Sequence, residues 1–380
     1  MNRNRRQVSM RPGVTRGRNR LRGVVITASG LILSLMLPPA ARAQYIIGAD
    51  VSFARQAEAE GTVFRNKGKA MPVLQILKDH GYNWVRLRLF VHPTNLPNNL
   101  PYTIASAQAA KKLGFKFLLD LHYSDTWADP GKQFTPKAWL GMTHEQLVRQ
   151  VYTYTRNTIE AFRKAGVLPN MVQIGNEITN GMLWPDGKLP DHWKQFTDLL
   201  KAGINGVDAG HGNQPRPLIM IHIDRGGDWK TTHYFFDHLA KYHVHYDVIG
   251  QSYYPWWQGS LDDLRYNLYM TATTFHKPIV LAEVAYTWEK PTFHVPAKFK
   301  KLHPKFQMPP PPFPITPDGQ KQFLQAVFRT VLDTPDNLGK GLFWWEPAVP
   351  AQSPLRARGF FDDSGNALPV ITVFDEYTRR

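Results

Sequence analysis

Two glutamates close apolar runs. Glu177 ends Val172-Gln173-Ile174-Gly175-Asn176-Glu177, and Glu283 sits within Ile279-Val280-Leu281-Ala282-Glu283. A carboxylate in such a setting is costly to ionise, and a raised pKa is useful where a proton must be given away. Paired carboxylates across a cleft are the equipment for glycoside cleavage: one protonates the leaving oxygen while the other attacks the anomeric carbon or activates water. A structural ion pair with Arg86 would explain either residue alone, but the occurrence of both favours a catalytic pair. A sugar chain also needs apolar faces to stack on, and Trp127, Trp184, Trp256, Trp257, Trp288, Trp344 and Trp345 are the candidates. Strand neighbours point to opposite faces, so one residue of Trp256-Trp257 and one of Trp344-Trp345 is expected to face substrate.

These residues need a scaffold. From Tyr45 the chain repeats a short apolar run, a polar loop and an amphipathic segment of helical spacing. The runs are Tyr45–Val51, Trp84–Phe90, Phe115–His122, Met171–Asn176, Leu218–His222, Val248–Ser252, Ile279–Ala285 and Gly341–Trp345. Helices are expected between them at Met71–His80, Ile104–Leu113, His144–Ala165, Trp193–Ala209, Leu261–Phe275 and Gln320–Leu332. Eight strand–helix rounds with near-continuous apolar strands predict an α/β fold, a closed (β/α)8 barrel in a single domain. The competing open sheet lacks its signature, since no G-x-G-x-x-G follows the first strand and no G-x-x-x-x-G-K-[ST] occurs.

A barrel places chemistry at the carboxyl ends of its strands. The polar residues there are Asp50; Arg86 and Arg88; Asp120 and His122; Asn176 and Glu177; His222 and Asp224; Tyr253 and Tyr254; Glu283; and Trp344, Trp345 and Glu346. The set is rich in acids and aromatics and poor in nucleophilic serine.

The formal charge of +16 suggests a polyanionic partner until its distribution is examined. Residues 1–43 hold nine arginines and no acid, then an apolar run from Val24 to Leu37 and Ala41-Arg42-Ala43. This is the pattern of a secretory signal cleaved after Ala43, exporting residues 44–380 to the periplasm or medium without a membrane anchor. Without those nine arginines the excess falls to seven over 337 residues, which gives no reason to expect nucleic acid. The chain has no cysteine, so disulfides and thiolate metal sites are excluded. The histidines lack a recognisable ligand spacing, and no metal or cofactor is expected. One composition shift, within about residues 289–317, carries Lys298, Lys300, Lys301, Lys305 and a run of four prolines, and reads as an insertion after the seventh strand.

Several motifs resemble those of glycoside hydrolase family 53, the endo-β-1,4-galactanases. They are Gly48-Ala49-Asp50-Val51-Ser52, Val85-Arg86-Leu87-Arg88-Leu89-Phe90, Asp120-Leu121-His122-Tyr123-Ser124-Asp125-Thr126-Trp127-Ala128-Asp129-Pro130-Gly131-Lys132-Gln133, Gln173-Ile174-Gly175-Asn176-Glu177, Ser252-Tyr253-Tyr254-Pro255 and Trp345-Glu346-Pro347. The resemblance covers nearly the whole chain after the signal. It implies a clan A barrel, retaining chemistry, and β-1,4-galactan or type I arabinogalactan of pectin as substrate. It also implies Glu177 as acid/base, Asn176 on the sugar 2-hydroxyl and Glu283 as nucleophile. Substrate contacts are expected from Asp50, Arg86, Asp120, His122, Asp125, Trp127, Asn176, His222, Tyr253, Tyr254, Trp257 and Trp345, in a monomer. Two departures stand out. Ala348-Val349-Pro350 follows Trp-Glu-Pro where the family often has an aromatic, and no acid lies between Lys290 and Pro317 to hold the calcium some bacterial members carry there. Other clan A activities, such as β-mannanase or cellulase, would use the same paired acids and aromatic groove. A glycan-binding barrel without activity would be expected to have lost one acid.

Overall fold

The computed structural model describes residues 45–290 and 311–378. The proposed signal and the lysines of the insertion lie outside the described residues. Eight parallel strands close into a barrel: β1 (Ile46–Asp50), β2 (Trp84–Leu89), β3 (Lys116–Leu121), β4 (Met171–Ile174), β5 (Leu218–Ile223), β6 (Val248–Tyr253), β7 (Ile279–Val284) and β8 (Gly339–Trp345), with β8 pairing back to β1. The helices between them are α1 (Ala54–Ala59), α2 (Val73–Asp79), α3 (Leu100–Lys112), α4 (His144–Lys164), α5 (Trp193–Gly210), α6 (Trp229–Lys241), α7 (Leu261–Phe275) and α8 (Pro317–Leu332). The (β/α)8 barrel is thus the architecture of the chain.

Local chemistry sets the helix starts. Thr143 and Gln146 form a reciprocal capping box on α4, and Ser260 with Asp263 does the same on α7. Two helices begin earlier than the periodicity predicts. Asn99 caps α3 ahead of Pro101, and Thr316 caps α8, whose first residue is Pro317. Proline is well placed in a first helical turn, where its missing N–H has no intrahelical acceptor. Pro317 therefore opens a helix rather than ending the insertion. The helix α6 is absent from the sequence reading; its buried face is Thr232, Phe235, Phe236 and Leu239, interleaved with His233, Tyr234 and His238.

The barrel interior is layered. Ile46, Trp84, Leu118, Met171, Met220, Val248, Val280, Ala282 and Phe343 form a separate apolar cluster that fills its amino-terminal part. Side chains alternate along a strand, so two residues further on the same inward columns reach Arg86, Asp120, Gln173 and His222, all buried. An apolar floor thus carries a polar layer that the outer helices shield from water. Gly48 keeps the floor closed, because a Cβ there would lie 2.3 Å from the Phe343 ring.

Candidate active site

Backbone irregularities aim the two glutamates. β4 ends at Ile174, and the chain turns through Gly175 (φ 79°) to Glu177, which holds left-handed angles of φ 47° and ψ 50°. A non-glycine residue adopts that conformation at a modest energetic cost, and such strain gathers at functional sites. Glu283 is aimed differently. Val280 and Ala282 belong to the inner cluster, so strict alternation would send Glu283 outward. The register with β6 skips a residue there, since Gln251 pairs with Leu281 and Ser252 with Glu283. The extra residue is a bulge that turns Glu283 into the barrel mouth opposite Ser252.

Arg86 is the hub beneath them. Its Nη1 lies 2.7 Å from Asp50 Oδ2 and 2.9 Å from Glu283 Oε1, and its Nη2 lies 2.9 Å from Asp120 Oδ2 and 2.7 Å from Asn176 Oδ1. Arg86 is therefore the partner of Glu283 and of Asp50 at once. Burial works to lower the Arg86 pKa, but Asp120, Glu283 and Asp50 outweigh it and hold it above its ordinary value. Asp120 is lowered to about 2: burial raises it, and Arg86 and His122 overcome that.

The glutamates experience unlike surroundings. Burial raises Glu283, while Arg86 and the Tyr254 hydroxyl, donating to Oε2 at 2.7 Å, pull it back. Burial raises Glu177 well above the carboxylate range, and Glu283 and Asp224 add to the rise. Both carboxyl groups are raised by burial, but only Glu283 has a cation and a hydroxyl donor opposing that rise at hydrogen-bond distance. Two carboxyl groups driven apart in this way can serve as nucleophile and acid.

The other expected residues divide into three groups. Trp127, Tyr254 and Trp345 surround the mouth: Trp345 meets Trp127 and Tyr254 edge-on at 6.2 Å each, and the Arg88 guanidinium lies 4.3 Å from the Trp127 ring centre. Trp344, its strand neighbour, is fully buried and donates its Nε1–H to the Arg358 carbonyl at 2.9 Å. Trp256 and Trp257 lie beyond β6, so strand alternation does not separate them, and both are half-buried.

A second group is engaged within the protein rather than offered to a ligand. Asp50 bridges Arg86 and Arg88. Asp120 is fully buried, pairs by charge with Arg86 and His122, and accepts a hydrogen bond from Gln173. His122 Nδ1 accepts the Ala128 N–H at 3.1 Å, so its proton is on Nε2, which lies 3.0 Å from Asp120 Oδ2. His222 is fully buried between Asn176 and Ser252, with both ring nitrogens occupied. The side chains of these four positions are tied to one another and to their neighbours beneath the two glutamates.

Residues of the third group stand away from the glutamates. Tyr253 is buried with its ring stacked near Phe323 and its hydroxyl on the Gly259 carbonyl, because β6 alternation turns it outward. Asp125 accepts from the backbone N–H groups of His92 and Lys137 and ties two loops together.

Four contributors went unassigned. Gln173 links Asp120 to Asn176 at 2.6 and 3.0 Å, Ser252 Oγ lies 2.6 Å from Glu177 Oε1, Gln133 donates to the Asn176 carbonyl at 2.8 Å, and Arg88 pairs with the buried Glu346. Inward parity with Met171 and Val248 is the signal that could have found Gln173 and Ser252. Among the described residues no group of three or more His, Asp or Glu is placed to hold a metal ion, and no helix is long and apolar enough to cross a membrane.

Comparison with known proteins adds to this geometry. The family profile described as glycosyl hydrolase family 53 matches residues 46–374. An uncharacterized protein from the bgaB 5′ region of Niallia circulans is 38% identical over 340 residues, covering 87% of this chain and 90% of that protein. An arabinogalactan endo-β-1,4-galactanase of Thermothelomyces thermophilus is 34% identical, covering 86% and 98%. Among solved structures, the GH53 catalytic domain of Ignisphaera aggregans superposes with a TM-score of 0.78 at 33% identity, covering 88% of this chain and 97% of that one.

Proposed function

The chain belongs to glycosyl hydrolase family 53, and from that premise we propose that it is an exported endo-β-1,4-galactanase that cleaves the galactan and type I arabinogalactan of pectin with retention of configuration. That it is a glycosidase follows from the family. The similarity to the Thermothelomyces enzyme supports galactan as substrate, and residues 1–43 support export. The observation that carries the mechanism is the unlike setting of the two acids: Glu283 is held by Arg86 and Tyr254, whereas Glu177 has only acids among its charged neighbours, and burial with those acids raises its pKa.

In the first step the ionised Glu283 attacks the anomeric carbon as Glu177 gives its proton to the departing glycosidic oxygen. The carbon–oxygen bond breaks and a glycosyl ester forms. Glu177, now a carboxylate, takes a proton from water, whose oxygen displaces Glu283. Asn176 has its amide orientation fixed, because Oδ1 accepts from Arg86, which can only donate. Its Nδ2 bonds the Ala128 carbonyl with one hydrogen and keeps the other for the sugar 2-hydroxyl.

Digestion of linear β-1,4-galactan, mannan and carboxymethylcellulose, read by product size, tests the substrate. Oligosaccharides from galactan alone are expected. Release from mannan or cellulose at equal rates would replace the reading with another clan A activity.

A further inference from the structure

A proton count behind Glu177 leads beyond these roles. Asn176 Oδ1 accepts from Arg86 Nη2 at 2.7 Å, and Asn176 Nδ2 faces the Ala128 carbonyl at 2.9 Å, so the amide has only one orientation. That Oδ1 also accepts from Gln173 Nε2 at 3.0 Å, and an oxygen that only accepts can be faced by His222 Nδ1, at 3.1 Å, only as a third N–H donor. If the ring is neutral, Nε2 is bare and accepts a proton, and Ser252 Oγ at 2.9 Å is its partner. Ser252 has one hydrogen. Once it is directed to His222, the 2.6 Å contact between Ser252 Oγ and Glu177 Oε1 needs its proton from Glu177.

We propose that Ser252 is a two-way positioning residue: its hydroxyl donates to neutral His222 while Glu177 is the acid, and turns to donate to Glu177 Oε1 once Glu177 is the base. The switch gives Glu177 a matched hydrogen bond in both protonation states, using a single rotation of a buried hydroxyl. The turn leaves the bare His222 Nε2 without its donor, a cost that the bond to the Glu177 carboxylate offsets.

The surroundings favour a neutral ring. His222 is fully buried, and Arg86 and His122 face it, with Asp120 as the opposing acid; burial and Arg86 together hold its pKa well below the ordinary value. Facing Glu177 are Ser252 from β6, Glu283 from β7, Asp224 after β5 and Asp129 after β3. All the charged groups in that set are acids, which resist a second negative charge. Ser252 opposes them, lowering the Glu177 pKa when it donates to the carboxylate. The assignment of acid and base rests on the proposed function, whereas the proton count does not.

The test uses the full-length enzyme. Ser252→Ala removes both the donor to the carboxylate and the acceptor for the acid; the bond to the charged form is the stronger of the two, so Glu177 should hold its proton more tightly. The basic limb of kcat/KM is expected to move up by about 1 pH unit, a tenfold change in that equilibrium. The carboxyl carbon of Glu177, followed by NMR with Glu177→Gln for assignment, should titrate in parallel, and Ser252→Thr should restore both. A folded Ser252→Ala enzyme with an unmoved limb and titration would overturn the proposal. Should that variant not fold, nitrogen NMR of His222 in the unaltered enzyme decides: a bare Nε2 with Nδ1–H is expected on the pH plateau, and an imidazolium or an Nε2–H there would refute the switch. Failure of azide to rescue Glu177→Ala would instead strike the catalytic reading and leave the proton count standing.

Discussion

Arg86 and Glu283 meet at 2.9 Å, and the same Arg86 nitrogen lies 2.7 Å from Asp50. A cation so placed favours the charged form of Glu283, the proposed nucleophile, against the burial that opposes it. The acidic limb of kcat/KM reports the free enzyme's base, and Glu283 must be ionised to attack. Arg86→Met removes the cation, so that limb is expected to move to higher pH by roughly 1 to 3 units, with activity lost first at low pH. Arg86→Lys keeps a charge and should move it less. An unmoved limb in folded Arg86→Met would make the arginine a structural tie alone.

The two glutamates should fail in different ways. Glu283→Ala cannot form a glycosyl ester, so turnover should vanish even on substrates with good leaving groups. Glu177→Ala is expected to lose roughly 10² to 10⁴-fold on galactan and far less on an activated aryl galactoside, which needs little protonation. Azide should then accelerate turnover of the aryl substrate and give a β-galactosyl azide. A retained β-azide from the Glu283 variant instead would reverse the roles.

Direct attack sets a distance. Retaining enzymes hold their carboxyl groups about 5 to 5.5 Å apart, whereas inverting ones leave room for a water between them. Ser252 Oγ touches Glu177, and Ser252 is the strand partner of Glu283, so a short separation is expected. Proton NMR of early hydrolysis products should show the β-anomer first. An α-anomer appearing first would establish inversion and exclude a glycosyl-enzyme ester.

The contrast between Glu177 and Ser252 shows what the sequence makes legible. Apolar runs such as Ile219–Ile223 announce their strands, because a parallel strand is covered on both faces, and the alternation of eight runs with helices leaves few architectures. Isolated acids stand out against such runs. Inward direction is harder to read. Glu283 enters the barrel only through the bulge at Ala282, a register event that no local pattern marks. His222 and Asp120 stand at strand ends, and the structure buries both among Asn176, Ser252 and Gln173. Depth depends on how the strands stagger around the barrel, which is a property of the whole sheet. Ser252, a small residue at the end of its run, is marked only by its inward parity with Val248.

Two neighbouring tryptophans give a test in which stability and activity separate. Trp344 is fully buried, its ring 5.0 Å from Phe360 and 6.4 Å from Phe323, and its indole N–H is bonded to the Arg358 carbonyl. Trp344→Ala should open a cavity costing about 3 to 5 kcal/mol and lower the melting temperature. Trp345 points the other way along β8, half-exposed beside Trp127 and Tyr254, where a sugar face can stack. Trp345→Ala should leave the melting temperature close to that of the parent. Its kcat/KM on linear galactan should fall about ten- to a hundredfold, the scale of the roughly 1.5 to 3 kcal/mol lost with one apolar contact face. Calorimetry and initial rates on both variants decide the matter. If Trp345→Ala lost stability as Trp344→Ala does while galactan hydrolysis by the remaining folded enzyme were unchanged, Trp345 would belong to the core and the groove would need another platform.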